Sequence, residues 1–203
     1  MNVLFFSDIH SDLRALRRLM DIEADYYFCA GDLVSWARGF DSVGEILKSK
    51  AGRMLLIPGN HESETDISTF CDQHGFENMH GRTTTIGGIR IAALGYSNPT
   101  PFNTPGEYSE AQIEARLTAL APPNPQILVC HCPPKDTPLD LGGGGRHFGS
   151  SAVASFIEKV SPRYFLCGHI HEAEGVHATL GSQSMTTGVN LGKKGFLLDL
   201  SSI

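Results

Sequence analysis

The chain has 203 residues and a formal net charge of −6, and its hydrophobic and charged fractions are 41% and 19%. These fractions are those of an ordinary globular protein. The length predicts a single domain over residues 1–203 with room for a buried core. The acidic balance argues against a broad basic surface for nucleic acid or an anionic membrane. Oligomeric state is left open.

The cysteine content and the N-terminal residues indicate the cellular compartment of the protein. Five cysteines are an odd and sparse set, which predicts reduced thiols and a cytoplasmic location. No apolar run is long enough to span a membrane. We expect no cleaved signal peptide, because the apolar run at 3–6 leads directly to a candidate functional residue at position 8.

The first half of the chain alternates short apolar runs with amphipathic segments, which is typical of strands and helices in turn. Glycine and capping residues mark the boundaries. The predicted elements are, in order, a strand at 3–6, a helix capped by Ser11 or Asp12, a strand at 26–30, a helix around 43–47, a strand at 54–57 and a helix ended by Gly75.

The second half changes character after this regular start. Its predicted elements are a hairpin over 83–94 that turns at Gly87 and Gly88, a helix after a capping box of Ser109 and Gln112, a strand at 126–130, a helix over 153–160, a strand at 164–167 and short antiparallel strands to the end. The stretch 133–149 is rich in proline and glycine, so we predict a mobile loop that closes over bound substrate.

The order of these elements predicts an α/β (α+β) fold. We expect a four-layer α-β-β-α sandwich, in which two mixed β-sheets are flanked by helices and the first sheet is partly parallel. In such folds the carboxyl ends of parallel strands collect ligand-binding residues.

Potential metal ligands follow these apolar runs in five places. They are Asp8 and His10 in SDIH, Asp32 in AGDLV, Asn60 in PGNHE, His131 in VCHCP, and His169 and His171 in CGHIH. Residues two apart in an extended segment point the same way, so each Asp-x-His or His-x-His pair can reach one ion. Asp32 stands alone in its block and is the natural carboxylate to bridge two ions.

This donor set predicts a centre of two divalent metals. Carboxylate and imidazole together suit Mn, Fe, Zn or Co, and the absence of thiolate from the set argues against a purely soft site. Two such ions can share a hydroxide that attacks phosphorus in a small phosphorylated substrate. His61 directly follows Asn60, and we expect it to face the substrate and assist the leaving group.

Taken together, the blocks SDIH, GDLV, GNHE, the lone His131 and GHIH resemble the calcineurin-like metallophosphoesterase superfamily, in order and over positions 7 to 171. The resemblance implies catalytic roles for Asp32 and His61. It implies one metal held by Asp8, His10, Asp32 and His171, and another held by Asp32, Asn60, His131 and His169. The stretch from Arg146 to Ser150, with GHIHE, also resembles a small-molecule phosphodiesterase branch.

Simpler interpretations of single residues stay open. Asp8 could cap a helix, Asp32 and Asn60 could form turns, and His131 alone could be a core histidine. Cys130 and Cys132 are interpreted as buried thiols. Arg146, His147 and Asn98 are candidate substrate-binding residues. The alternatives to a phosphodiesterase are a phosphomonoesterase or protein phosphatase, a nuclease, and a scaffold without activity.

Overall fold

The computed structural model describes residues 1–183 and 185–203, and these residues form thirteen strands and five α-helices. The strands are β1 (Asn2–Phe6), β2 (Tyr26–Cys29), β3 (Met54–Leu56), β4 (Glu77–Asn78), β5 (Arg82–Ile86), β6 (Ile89–Leu94), β7 (Ile127–Cys130), β8 (Leu141–Gly142), β9 (Arg146–His147), β10 (Tyr164–Cys167), β11 (His177–Leu180), β12 (Thr186–Asn190) and β13 (Phe196–Asp199). The helices are α1 (Leu13–Met20), α2 (Phe40–Leu47), α3 (Glu64–His74), α4 (Glu110–Leu120) and α5 (Ser151–Val160).

Two mixed sheets contain most of the strands. In the first sheet the order is β13-β1-β2-β3-β4, where β1 to β4 are parallel and β13 pairs antiparallel with β1. In the second sheet the order is β11-β12-β10-β7-β6-β5, with four parallel central strands and an antiparallel strand at each edge. The predicted fold class is confirmed.

Alternating side chains divide the core into three apolar layers. On β1, Leu4 and Phe6 pack with α1, α2 and α3, while Phe5 faces the second sheet. On β7, Leu128 packs with α4 and α5, and Val129 faces back toward the first sheet. Because successive strand residues point to opposite faces, these fully apolar strands are buried on both sides. The result is the expected α-β-β-α order of layers.

Helix starts follow the side-chain chemistry of their caps. Asp12 accepts from Ala15 N–H at the start of α1, and Ser109 and Gln112 form the predicted capping box of α4. A similar box of Ser63 and Asp66 begins α3. Throughout the described ranges, each helix is too short or too polar to cross a membrane.

The stretch 133–149, predicted to be a mobile loop, contains regular structure. It contains a 3-10 turn at Pro138–Asp140 and an antiparallel ribbon of β8 and β9. The fully buried carboxylate of Asp140 accepts hydrogen bonds from the backbone of Asp136, Thr137 and Gly149. A buried carboxylate with several donors organises backbone that glycine would otherwise leave free. Closure over substrate stays a prediction.

A buried histidine joins the second sheet to the chain that leaves β3. His80 Nδ1 accepts from Gly95 N–H at 3.0 Å, so the other ring nitrogen carries the proton and donates to the Tyr108 hydroxyl at 3.0 Å. Tyr96 N–H donates to the Pro58 carbonyl at 3.1 Å, two residues before Asn60. His80 therefore helps to fix the segment against which a predicted ligand is held.

Replacement of His80 by glutamine is predicted to reduce the acid sensitivity of folding. Burial of the ring is the main cause that lowers the pKa of His80 from 6.5 to about 4. The neutral ring therefore contributes stability above pH 6.5 that is lost as the pH falls toward 4, because only the unfolded chain takes up the proton there. The shift corresponds to about 3 kcal/mol at most.

Urea unfolding at pH 7 and pH 4.5 would measure this effect. His80→Gln keeps an acceptor for Gly95 and a donor for Tyr108, and should lose less stability between the two pH values than the wild type. His177→Gln, at an exposed position on β11, is the matched control and should behave as the wild type. Equal losses in His80→Gln and the wild type would contradict this account.

Candidate metal centre

The seven predicted metal ligands meet at one edge of the two sheets. Asp8 follows β1, Asp32 follows β2 and Asn60 follows β3, while His131 and His169 follow β7 and β10 of the second sheet. Parallel strands end on the same side, so a polar residue placed after each strand arrives at a common cleft. The side chains enter at least partly buried surroundings, although His171 is exposed.

The ligand atoms form two neighbouring groups. In the first, ligand atoms of Asp8, His10 and His171 lie within 4.8 Å of one another. The Nε2 atoms of His10 and His171 are 3.0 Å apart. In the second, ligand atoms of Asp32, His131 and His169 likewise lie within 4.8 Å of one another. Each group offers oxygen and nitrogen donors at the spacing that a small cation needs.

Asn60 adds an oxygen to the second group. Its Oδ1 lies 3.2 Å from His131 Nε2 and 2.8 Å from His169 Nδ1. Its amide nitrogen donates to Thr104 Oγ1 at 3.2 Å, and this contact directs the carbonyl oxygen toward the histidines. Glu107 accepts from the Thr104 hydroxyl at 2.6 Å and so holds that partner in place.

The Asp32 carboxylate faces both groups. Its Oδ2 lies 3.5 Å from His10 Nε2 and 3.4 Å from His131 Nε2. Its Oδ1 accepts from His61 N–H at 2.9 Å, which fixes the orientation of the carboxylate. One oxygen is thus held by the backbone and the other points between the two groups of ligands.

The tautomer of His131 fits a metal ligand. Its Nδ1 lies 2.8 Å from the Ala30 carbonyl oxygen, which can only accept, so Nδ1 carries a proton. In the neutral ring Nε2 then presents a lone pair toward Asp32 Oδ2 and Asn60 Oδ1, which are themselves acceptors. A divalent cation satisfies such a convergence of lone pairs, and a hydrogen bond to the distal nitrogen is the usual support of a histidine ligand.

Charge interactions within the cluster oppose the effect of burial on the pKa at Asp32 and His131 and reinforce it at His169. Burial alone would raise the pKa of Asp32, but the adjacent His131 outweighs it, and the pKa lies below its usual range. Burial would lower the pKa of His131, but Asp32 raises it to about 9. For His169, burial and then the charge of His131 lower the pKa to about 4. The cluster therefore combines an Asp32 carboxylate that stays charged, a His131 ring that keeps a second proton until a metal displaces it, and a His169 ring that stays neutral.

Glu62 lies beneath the cluster and was not assigned a role from the sequence. Its fully buried carboxyl group accepts from the backbone of Asp32, Val34 and Gly59 at 2.8–3.1 Å. Burial, and then the charge of Asp32, raise its pKa to about 8. It ties the turn after β2 to the turn after β3. The sequence signal that could have found Glu62 is its position directly after Asn60 and His61 in the PGNHE block.

Backbone strain is concentrated at the same edge. Four predicted ligands have left-handed φ angles: Asp8 at 54°, His10 at 48°, Asp32 at 52° and His169 at 69°. Each costs on the order of 1–3 kcal/mol and persists only where the surroundings enforce it. Here Asp8 N–H donates to Gly31 O, and His10 N–H donates to Asp32 O. The turns are held by each other across the first sheet.

Two of the glycines that precede ligands are needed for space. A Cβ at Gly59 would lie 2.0 Å from Asp32 Oδ1, and one at Gly168 would lie 2.2 Å from Asp8 Oδ2. Of Gly31, Gly59 and Gly168, each of which directly precedes a predicted ligand, only Gly31 has a left-handed φ, at 100°. The carboxylates therefore pack directly on the neighbouring backbone.

His61 lies beside the ligand groups. One of its ring nitrogens lies within 4.8 Å of ligand atoms of His10 and Asp32. Its Nδ1 accepts from Trp36 N–H at 3.3 Å, so the neutral ring carries its proton on Nε2. The ring is also packed edge-to-face with His10 at a centroid distance of 4.9 Å.

Comparison with known proteins agrees with this geometry. The sequence pattern of the calcineurin-like phosphoesterase family matches residues 1–173. The chain belongs to this family. It is therefore a metal-dependent phosphoester hydrolase, and the Asp and His groups described above could hold the divalent metals that the family uses.

Individual relatives extend over most of the chain. The uncharacterized protein MJ1162 of Methanocaldococcus jannaschii is 31% identical over 181 residues, covering 85% of this chain and 81% of the relative. The structure of TT1561 of Thermus thermophilus has a TM-score of 0.73 at 22% identity, covering 99% and 95% of the two chains. The phosphopantetheinyl hydrolase of Mycobacterium tuberculosis has a TM-score of 0.61 at 16% identity, covering 94% and 89%.

The candidate substrate-binding residues of this phosphoesterase lie on or beside the ribbon. Asn98 Nδ2 donates to the carbonyl of Phe148 at 3.1 Å, and Arg146 lies over the Phe148 ring at 5.5 Å. His147 Nδ1 pairs with Asp140 Oδ1 at 2.7 Å. These contacts bind the ribbon to itself and to Asn98, and none of them reaches the metal-ligand groups. Their role toward substrate stays a prediction.

A cavity of about 200 Å³ opens beside the first ligand group. It is lined by Asp8 and His171 together with Asn190 and Lys193. The ammonium of Lys193 lies 3.3 Å from Asp12 Oδ2. A larger cavity of about 370 Å³ lies elsewhere, between 134–138 and 179–182, and contains none of the predicted ligands. Of these two cavities, the smaller one is the cavity that adjoins the predicted ligands.

The close packing at Gly59 predicts that Gly59→Ala weakens metal binding, because the added methyl displaces the Asp32 carboxylate. A loss of about 10- to 100-fold in affinity is expected, the size seen when support of a ligand is disturbed. Gly143→Ala is the matched control, since a Cβ there meets only Glu172 at 3.5 Å. Manganese titration by calorimetry measures both. Unchanged affinity in Gly59→Ala would contradict the packing argument.

Proposed function

We propose that this phosphoesterase hydrolyses small-molecule phosphodiesters at a centre of two divalent metals. The carrying observation is the position of Asp32, whose Oδ2 faces His10 in one ligand group and His131 in the other at 3.4–3.5 Å. A single carboxylate between two sets of nitrogen and oxygen donors is what a bridged pair of ions requires.

The ligand assignment follows the two groups. One metal would be held by Asp8, His10, Asp32 and His171, and the other by Asp32, Asn60, His131 and His169. The donors fit Mn, Fe, Zn or Co. When bound, the two ions would lower the pKa of water and neutralise charge on the phosphoryl group.

His61 acts on the leaving group in this proposal. Hydrolysis joins the oxygen of water to phosphorus and breaks the bond from phosphorus to the leaving oxygen, which must gain a proton. The imidazolium form of His61 would supply it from Nε2, which leaves the ring neutral and releases the leaving group as an alcohol. Transfer from a positioned imidazole contributes typically 10²–10⁴-fold to the rate.

Charge around the cavity favours a diester over a monoester. A diester carries one negative charge, whereas a monoester carries close to two near neutral pH. Lys193 is the one lysine or arginine among the residues that line the cavity, Asp12 already pairs with it, and Glu174 adds a negative charge to the lining. The chain as a whole is acidic, with a net charge of −6. This balance supports a small monoanionic substrate rather than a polyanion such as nucleic acid.

We also propose that the chain forms one domain and works in the cytoplasm. The first sheet pairs β1 with β13, so the ends of the chain meet, which supports one domain over 1–203. All five cysteines are buried and unpaired, which supports a reducing compartment such as the cytoplasm.

Replacement of Asp32 tests the shared carboxylate. Asp32→Ala should lower the metal content from two ions per chain and reduce kcat/KM by more than about 100-fold, since both ligand groups lose a donor. Asp72→Ala, at an exposed position on α3, is the control and should retain both properties. Metal analysis with activity assays gives the result, and full activity in Asp32→Ala would reject the shared site.

Replacement of His61 separates proton transfer from metal binding. His61→Ala should keep the metal content and lose about 10²–10⁴-fold in kcat for alkyl leaving groups. The loss should be smaller for p-nitrophenol, which leaves without needing a proton. Equal losses with both leaving groups would assign His61 another role.

The substrate class is tested with metal-stripped protein to which Mn, Fe, Zn or Co is returned singly. Paired chromogenic diesters and monoesters serve as substrates. Faster hydrolysis of the diester is expected. A monoester preference would indicate a phosphomonoesterase or protein phosphatase, and DNA cleavage with steep salt dependence would indicate a nuclease. Metal binding without hydrolysis of any ester would indicate a scaffold without activity.

A further inference from the structure

Trp36 is a large exposed ring beside the candidate acid. The chain has one tryptophan, and it is 48% exposed. Its ring centroid lies 5.4 Å from that of His61, with the planes at 85°. An isolated surface aromatic would need no explanation, but this ring contacts a residue of the proposed catalytic machinery.

The backbone around Trp36 has an unfavourable conformation for a bulky residue. Ser35 and Arg38 close a tight turn, with Arg38 N–H donating to Ser35 O at 3.1 Å. The two central residues, Trp36 and Ala37, both have φ of 53°. Such a turn favours asparagine or glycine at these positions. A left-handed residue with a side chain costs roughly 1–2 kcal/mol. Tryptophan therefore occupies this position against the preference of the local backbone.

Three contacts hold the turn against the site. Ser35 Oγ lies 3.0 Å from His10 Nδ1, and Trp36 N–H donates to His61 Nδ1 at 3.3 Å. Ala37 N–H donates to the His61 carbonyl at 3.0 Å. The backbone that carries the indole is therefore held by residues of the cluster, His10 and His61. A ring on a fixed turn is a better binding surface than one on a mobile loop.

We propose that Trp36 stacks on a planar ring of the substrate's leaving group. The substrate class is then a small phosphodiester whose leaving alcohol carries an aromatic or heteroaromatic ring. This inference rests on the proposed function, because it takes His61 as the group that protonates the leaving oxygen. Whatever is attached to that oxygen must pass beside His61, where the indole lies within contact distance.

Physical chemistry favours a ring as the occupant of this surface. Stacking of a base on an aromatic side chain is worth enough to change binding by about 5- to 150-fold. An apolar aliphatic group gains desolvation on the same surface but not the face-to-face interaction of two π systems. A polyanionic strand is disfavoured by the acidic chain, so a small molecule is the expected ligand.

The test compares two diesters that differ only in the ring. Benzyl methyl phosphate and cyclohexylmethyl methyl phosphate have leaving alcohols of similar size, and both require protonation. The metal-loaded wild type should give a higher kcat/KM for the benzyl ester. In Trp36→Asn this preference should fall by about 5- to 150-fold, while Trp36→Phe should keep most of it.

Asparagine separates recognition from folding. It suits the left-handed φ of this turn, so Trp36→Asn should keep or raise the melting temperature. Leu197→Ala removes another exposed apolar side chain, 47% exposed on β13, and is the control for loss of surface hydrophobicity. It should leave the preference for the benzyl ester unchanged. A preference that survives in Trp36→Asn would overturn the proposal.

A binding measurement distinguishes failure of this inference from failure of the proposed function. Methyl benzylphosphonate cannot be hydrolysed at its C–P bond, and it should quench the fluorescence of the single tryptophan at lower concentration than methyl cyclohexylmethylphosphonate. If no ester is hydrolysed with any metal, the proposed function fails. The comparison of quenching by the two phosphonates then shows by itself whether Trp36 binds an aromatic ring. If esters are hydrolysed but the two phosphonates bind equally, only the stacking role of Trp36 is rejected.

Discussion

The buried carboxylates of Asp8 and Asp32 impose the main constraint on this structure. Two negative groups can occupy the interior only where donors and cations surround them. Ser7 and the backbone of His169 donate to Asp8, while the backbone of His61 donates to Asp32. The oxygens that remain face imidazole nitrogens. The turns after five strands are therefore shaped by the need to satisfy two charges, and the left-handed backbone at this edge is one consequence.

Much of this arrangement could be predicted because it follows from local rules. Apolar runs predicted the strands, and a polar residue at the end of each strand predicted the edge at which they meet. The capping box at Ser109 was likewise visible in the sequence and is confirmed. The two-residue spacing predicted that Asp8 and His10 reach one group of ligands, and they do so through left-handed φ angles rather than an extended segment. The same expectation was wrong for His169 and His171, which lie in different groups.

Other features depend on contacts between distant parts of the chain. Proline and glycine content predicted a mobile loop at 133–149, but order there comes from Asp140, whose backbone donors become clear only after folding. Glu62 acquires its role because two turns, 28 and 3 residues away along the chain, present N–H groups to it. Trp36 has no distinguishing pattern in the sequence, and its significance lies in the turn that places it against His61.

We propose that Asp32 joins two metal ions, and anomalous diffraction from crystals soaked in manganese tests this most directly. Two peaks are expected, roughly 3.5–4 Å apart, as in two-metal sites generally. Asp32 should lie between them, with Asp8, His10 and His171 on one side and Asn60, His131 and His169 on the other. A single peak, or two peaks that do not share Asp32, would contradict the account.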